Sequence, residues 1–232
     1  MQQQIAKGDV LQRLAGVSFI VGAIVTGVFN ILHPRISDPT DMQAFIQGVA
    51  DNNGGFWEVD HLLLAVGVWA LMIGIVGVYR SISTGGAAAW ARLGFYGAVV
   101  GTTLWTALFA LMGLGLSEVV EQWEKAAGAD KATLFLVASS LARFEGGLSS
   151  MSVIVYWLAF VFLGIGMVLS TVYPKWVGWP IIILGVLTVA AVGIPVALAG
   201  ISQTLEILFV ILSMLTLVWA LVLGVWITRK AW

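Results

Sequence analysis

The chain has no cysteine, few prolines and few charged residues. Its 232 residues include 5 Pro and 2 His, and only 10% are Asp, Glu, Lys or Arg. Without cysteine, disulfides, thiolate zinc sites, iron–sulfur clusters and covalently attached haem are excluded. Eleven basic residues nearly balance twelve acidic ones, so the chain lacks the basic surface that would hold a nucleic-acid backbone. The sequence predicts no nucleic-acid partner.

Apolar residues make up 60% of the chain, and the mean hydropathy is +1.00. An ordinary soluble domain is about one quarter charged, so this composition indicates an integral membrane protein. A hydrocarbon layer about 30 Å thick is crossed by roughly 20 helical residues. Six apolar runs of that length predict an all-α six-helix bundle that forms one transmembrane domain over residues 1–232. The predicted spans are residues 14–33, 61–79, 93–116, 151–172, 176–199 and 205–228.

The distribution of basic residues predicts an orientation. Six spans place both termini on one side, and cytoplasmic segments carry an excess of Lys and Arg. With cytoplasmic termini, that side holds seven of the eleven basic residues against one acid, Asp9, while eleven acids lie outside. These seven are Lys7, Arg13, Arg80, Arg92, Lys175, Arg229 and Lys230.

Two segments on the outer side are predicted to fold over the helix ends as an ordered cap. Residues 37–41 are helix-starting residues, and the apolar positions of residues 42–49 suit a short helix on the membrane surface. Residues 52–55, Asn-Asn-Gly-Gly, are predicted to end that helix. The first segment extends over residues 34–60. The second, residues 117–147, begins polar, becomes apolar over residues 132–143 and ends in the glycine pair 146–147, which allows a bend before the fourth span.

Four short stretches at helix starts and ends resemble a broad group of bacterial six-span membrane proteins of unknown function. These stretches are Arg13-Leu14-Ala15-Gly16-Val17, Val49-Ala50-Asp51-Asn52, Tyr79-Arg80 and Tyr173-Pro174-Lys175-Trp176-Val177-Gly178-Trp179. The resemblance extends over most of the chain. It implies six spans and a bacterial inner (plasma) membrane, and it brings no catalytic residues to this sequence.

Polar side chains collect at the predicted outer ends of the spans. An ionisable group at membrane depth is costly, so each one is a candidate functional residue. On the fourth span, spacings of four, three and four residues place a polar stripe on one helical face. If the helices are neighbours, these residues line one cavity open to the outside. The candidate ligand-binding residues are Asn30, His33, Glu58, His61, Glu145, Ser149, Ser152, Tyr156 and Glu206.

Each candidate also has a structural explanation. A histidine at a helix end sits comfortably among lipid headgroups, and Glu145 can form an ion pair with Arg143. Small hydroxyls within spans commonly serve as helix-packing contacts. The tryptophans inside the spans also have a structural explanation, because such residues pack against other helices or face lipid more often than they hold ligands. These are Trp69, Trp105, Trp157 and Trp219.

Two hypotheses of function follow from this arrangement. The favoured one is a protein that binds a lipophilic or amphiphilic molecule, such as a lipid or quinone, alone or as a subunit of a membrane complex. Its expected partners are therefore membrane lipids and other membrane subunits. The alternative is an enzyme acting on an amphiphilic substrate, with His33 or His61 as general acid or base and Glu58, Glu145 or Glu206 orienting it.

A third hypothesis is a metal or haem site. His33 and His61 lie at similar depth on consecutive spans, and with Glu58 they form a candidate set of ligands for a divalent metal. Two histidines also suffice as an axial pair for haem, with Arg35 near a propionate. Secondary transport ranks last, because it favours broken helices near the midplane and only Pro195 interrupts a predicted span.

Overall fold

The computed structural model describes residues 9–35, 41–52 and 55–232, and these residues are helical without a β-strand. The helices are α1 (Val10–Leu32), α2 (Met42–Asn52), α3 (Phe56–Ser81), α4 (Gly85–Ala110), α5 (Ser117–Lys125), α6 (Gly128–Leu169), α7 (Lys175–Thr188), α8 (Ile194–Ala199) and α9 (Gln203–Ala231). π-helical turns at Leu111–Leu116 and Val189–Gly193 join α4 to α5 and α7 to α8. Six helical segments are long and apolar enough to cross a membrane, which confirms the predicted all-α six-helix bundle. These segments are Val10–Leu32, Phe56–Ser81, Gly85–Lys125, Gly128–Leu169, Lys175–Ala199 and Gln203–Ala231.

The six long helices form a closed ring in chain order. Each packs against the next, from α1 through α3, α4, α6 and α7 to α9, and α9 packs back against α1. The start of α1 and the end of α9 lie on one side of the bundle, where the Arg13 side chain donates to the Ala231 carbonyl at 3.2 Å. The opposite side carries the short helix α2, and we call it the capped end.

Side-chain caps fix several helix starts. The carboxylate of Asp9 accepts a hydrogen bond from the backbone N–H of Leu11 at 2.9 Å, and Ser202 caps α9 in the same way. Asp41 accepts from the backbone N–H of Gln43 at 2.9 Å, so one of the predicted helix-starting residues does start α2. The other predicted starters at 37–40, the glycine-containing end at 53–54, and Lys7 lie outside the described residues.

Glycines allow the helices to approach closely. A Cβ atom placed on Gly22 of α1 would lie 2.8 Å from the backbone nitrogen of Leu71 in α3, closer than real Cβ contacts. On α4, Gly101 faces the backbone and ring of Tyr156 in α6. Small residues at such crossings let the helix backbones approach closely. The resulting van der Waals packing stabilises the helix pair in lipid, where no hydrophobic driving force acts between helices.

The cap is built from helices. Helix α2 packs against α3, α5 and α6, and it buries Ile46 and Val49 completely. Helix α5 is amphipathic, packs against α2 and α6, and buries Val120 and Trp123. The predicted cap over the helix ends is therefore present, and it consists of α2, α5 and the first half of α6.

The glycine pair 146–147 lies inside a helix and does not interrupt it. Helix α6 continues unbroken from Gly128 to Leu169, so the apolar segment 132–143 is the first half of a long helix. A glycine inside a helix costs only about 1 kcal/mol relative to alanine. Contacts of α6 with both α4 and α5 hold it in helical form.

Candidate functional site

A cavity of about 550 Å³ lies inside the ring, towards the capped end. Its deeper walls come mainly from apolar and aromatic side chains of four helices, α3, α4, α6 and α9. They include Leu64, Val68, Trp105, Leu108, Phe109, Trp157, Phe209 and Leu217. Near the capped end the lining becomes polar and ionisable, with Asn30, His33, Arg35, His61, Glu145, Ser149 and Glu206. The cavity thus has an apolar interior and a polar end.

Two histidines and an aspartate form the most buried part of the polar end. His33 ends α1, and His61 and Asp60 lie in the second turn of α3, which runs antiparallel beside it. The His33 Nδ1 atom is 2.6 Å from Asp60 Oδ2, and the His61 Nδ1 atom is 3.9 Å from the same oxygen. The Asp60 side chain is fully buried, whereas His33 is 25% exposed. A buried carboxylate therefore sits between two imidazoles that line the cavity.

Trp57 packs both imidazole rings in place. Its ring lies 5.5 Å from the His33 ring and 4.7 Å from the His61 ring, measured between centroids. Its backbone carbonyl lies 2.8 Å from His61 Nδ1. A carbonyl can only accept, so this nitrogen carries a proton and donates it to the hydrogen bond.

The π-helical turn Leu111–Leu116, which follows the neighbouring helix α4, contacts this tryptophan. The indole Nε1–H of Trp57 donates to the backbone carbonyl of Met112 at 2.9 Å. Glycine at position 113 leaves room for the His61 side chain, because a Cβ there would collide with it. π-Turns interrupt the regular ladder of helix hydrogen bonds and are frequent at functional sites.

Arg35 links two helix ends at the rim of the cavity. Its guanidinium donates to the backbone carbonyl of Asn30 at 2.6 Å and to that residue's side-chain oxygen at 3.3 Å. A second guanidinium nitrogen lies 3.5 Å from Glu206 Oε1. The end of α1 is thereby joined to the start of α9, and the isolated acid of the sixth span has a charged partner.

Glu145 faces the cavity from α6 and is half-buried. The ion pair with Arg143 suggested by the sequence is not formed in the described part of the chain, although both residues line the cavity. Ser149, one turn further along α6, also lines it. Glu145 therefore brings an acidic group to the cavity wall without a salt bridge to that arginine.

Three predicted site residues lie away from the cavity lining. Glu58 caps the start of α3, where its carboxylate accepts from the backbone N–H of Gly55 at 3.1 Å and from the hydroxyl of Ser117. The Ser152 hydroxyl donates to the backbone carbonyl of Leu148 at 2.7 Å, and Tyr156 packs against Gly101. The polar stripe of α6 thus reaches the cavity only through its first two members.

Asp60 and Trp57 belong to the site but not to the candidate residues predicted from the sequence. Trp57 precedes His61 by four residues, which places both on one helical face and was a usable signal. Asp60 is an acid at the beginning of an apolar span, and the rule for ionisable groups at membrane depth applies to it as well as to Glu58. The two acids are two positions apart, about 200° around the helix axis, so only one can face α1.

The two histidine rings pack edge to face, with their centroids 5.1 Å apart. Arg35, the expected partner of a propionate, already pairs with Glu206.

Comparison of the chain with protein-family models, curated proteins and solved structures found no match. The fold and the site define a multi-pass helical membrane protein with a polar-ended internal cavity.

Proposed function

We propose that this protein binds an amphiphilic small molecule, such as a lipid or quinone, in the cavity at the capped end. The observation that carries the proposal is the division of the cavity into an apolar, aromatic interior and an ionisable end. A volume of about 550 Å³ falls within the range of about 300–1,000 Å³ that is usual for small-molecule sites. An acyl or isoprenoid chain matches the interior, and a headgroup matches the polar end.

The lining suggests how such a ligand is oriented. Trp105, Trp157 and Phe209 form a connected aromatic wall, with ring centroids 5.6–6.4 Å apart. At the other end, His33 and His61 supply imidazole nitrogens, and Arg35 supplies a cation at the rim. We expect the headgroup beside the histidines and the chain along the aromatic wall.

The proposal includes a membrane and an orientation. The excess of basic residues at the termini end favours cytoplasmic termini, and the resemblance at the helix ends favours a bacterial inner membrane. The cavity then faces the outer half of that membrane. Membrane lipids are the expected source of ligand, and the apolar exposed faces of the ring leave room for partner subunits.

The test is mass spectrometry of organic extracts from protein purified in a mild detergent. The Ser213→Phe variant places a ring on the cavity wall, since Ser213 lines the cavity and is 6% exposed. The Ile211→Phe variant is the matched control on the same helix, because Ile211 is 52% exposed on the outer face. We expect a stoichiometric amphiphile in the wild type and in Ile211→Phe, and its loss in Ser213→Phe. Equal extracts from all three, with the variants folded, would contradict the proposal.

A second function, catalysis on an amphiphilic substrate, is favoured by the His33–Asp60 pair. A buried carboxylate 2.6 Å from an imidazole that faces a cavity is the usual arrangement of an oriented general acid or base. Its test is release of a fluorophore from an acyl-ester or phospholipid analogue in micelles. Turnover that is lost in His33→Ala supports catalysis, and equal turnover in that variant opposes it.

A further inference from the structure

We propose that His33, Asp60 and His61 bind a divalent transition metal ion, with zinc as the representative ion, at the wall of the cavity. Each of the three side chains offers one ligand atom, and these atoms lie within 4.8 Å of one another. This site differs from the metal site expected from the sequence, in which Glu58 was the carboxylate. It is argued from the three side chains and does not depend on the proposed amphiphile.

The donor set is suited to such an ion. Two imidazoles and one carboxylate are the protein ligands of catalytic zinc sites and of non-haem iron sites, which leave further positions open. Zinc bonds of about 2.0–2.2 Å hold tetrahedral ligand atoms roughly 3.4 Å apart. The ligand atoms here lie within 4.8 Å of one another, and His33 Nδ1 lies 2.6 Å from Asp60 Oδ2, so small side-chain shifts, outward for the close pair and inward for the others, would accommodate the ion. His33 lies at the end of α1 and is partly exposed, which gives its ring room for that movement.

The buried carboxylate is incompletely satisfied by the protein. Asp60 is fully buried, yet its Oδ1 atom has no hydrogen-bond partner among the residues that the structure describes. A buried acceptor without a partner costs about 1–3 kcal/mol, and more when it is charged. A bound cation would satisfy this oxygen and compensate the charge at the same time.

The surroundings of the histidines also fit metal ligation. Ligating histidines usually donate their second ring N–H to a carbonyl or carboxylate, which fixes the ring orientation. The Trp57 carbonyl takes this role for His61 at 2.8 Å. Trp57 in turn is held through its indole by the Met112 carbonyl. Two layers of contacts therefore orient the His61 ring before any metal binds.

An ion at this position would be reached from the cavity. His33 and His61 both line the cavity, and Glu145 lines it as well. The open coordination positions would therefore face the polar end, where water or an oxygen atom of an anionic headgroup can bind. Under the proposed binding function, this favours amphiphiles with an oxygen-rich headgroup.

The experiment measures zinc binding by the full chain in detergent, after chelator treatment, in competition with a chromophoric zinc chelator. We expect one zinc per chain in the wild type and at least about tenfold weaker binding in His33→Ala and Asp60→Asn, since even outer contacts of a metal site change affinity 10–100-fold. Glu58→Gln is the matched control and should bind like the wild type.

Two checks keep the result clear. Because removal of a buried aspartate can impair folding, His33→Ala, at the partly exposed edge, is the decisive variant. Substitution by cobalt adds a second readout, since loss of its ligand-field absorption in His33→Ala reports on the site itself. Absence of stoichiometric zinc in the wild type, or equal affinity in the wild type and His33→Ala, would overturn the proposal. Zinc alone is the probe, so failure of amphiphile binding leaves this result unaffected.

Discussion

Replacing Trp57 by phenylalanine should destabilise the protein far more than the same change at Trp69. The Trp57 indole is 1% exposed and donates to the Met112 carbonyl at 2.9 Å. The substitution leaves that buried carbonyl without its partner, at about 1–3 kcal/mol. It also removes two buried ring carbons at roughly 0.8 kcal/mol each. We therefore expect a loss of about 3 kcal/mol in the free energy of unfolding.

Trp69 provides the matched control because it also makes an indole hydrogen bond between α3 and α4. Its Nε1–H donates to the Thr106 hydroxyl at 2.8 Å, but the residue is 44% exposed on the outer face of the ring. The Thr106 hydroxyl keeps its own bond to the Thr102 carbonyl when the indole is removed. Hydrogen bonds between membrane helices average about 0.6 kcal/mol, so Trp69→Phe should cost less than 1 kcal/mol.

The assay is reversible unfolding in mixed micelles, followed by circular dichroism, for the wild type and both variants. Equal losses in Trp57→Phe and Trp69→Phe would refute the argument that Trp57 and the π-turn support the site from within. A change in zinc affinity in Trp57→Phe alone would add to it, since the indole ring packs against the His61 ring with centroids 4.7 Å apart.

The remaining predictions concern packing, metal affinity and orientation. Gly22→Ala should lower the unfolding midpoint, since a Cβ there meets Leu71. Gly147→Ala has open space around it and should raise the stability by up to about 1 kcal/mol. Calorimetry in detergent distinguishes the two variants, and equal shifts would contradict close packing of α1 against α3 at Gly22. Zinc affinity should fall on acidification from neutral pH, because protons compete for the imidazole nitrogens, and a pH-independent affinity in competition titrations would argue against histidine ligands. A reporter fused after Trp232 should be active only in its cytoplasmic form, and activity of a periplasmic reporter would reverse the orientation.

The number of spans was predictable because hydrophobic length is written directly in the sequence. The extension of the long helices through α5 and the first half of α6 was not, since it involves packing of these segments against each other and against α2. The glycine pair at 146–147 illustrates the difference. It is a pattern common in loops, yet it lies inside the continuous helix α6.

The sequence identified several residues of the cavity lining, but not the direction in which each helix face points. Four candidate residues near the ends of apolar runs line the cavity, namely His33, His61, Glu145 and Glu206. The rotation of each helix about its axis is set by packing, which the sequence does not give for α3. Glu58 was therefore chosen as the carboxylate, although α1 contacts the face that carries Asp60.

Photolabelling tests the central claim most directly, that the cavity holds an amphiphile. A fatty acid with a diazirine in its chain is added to the protein in lipid nanodiscs, activated by light and located by peptide mass spectrometry. The account predicts labelling of the inner wall at Trp157 and Phe209, suppressed by excess unlabelled fatty acid and absent in Ser213→Phe. Labelling confined to outward-facing residues such as Trp69 and Val218, unchanged by competitor, would contradict it.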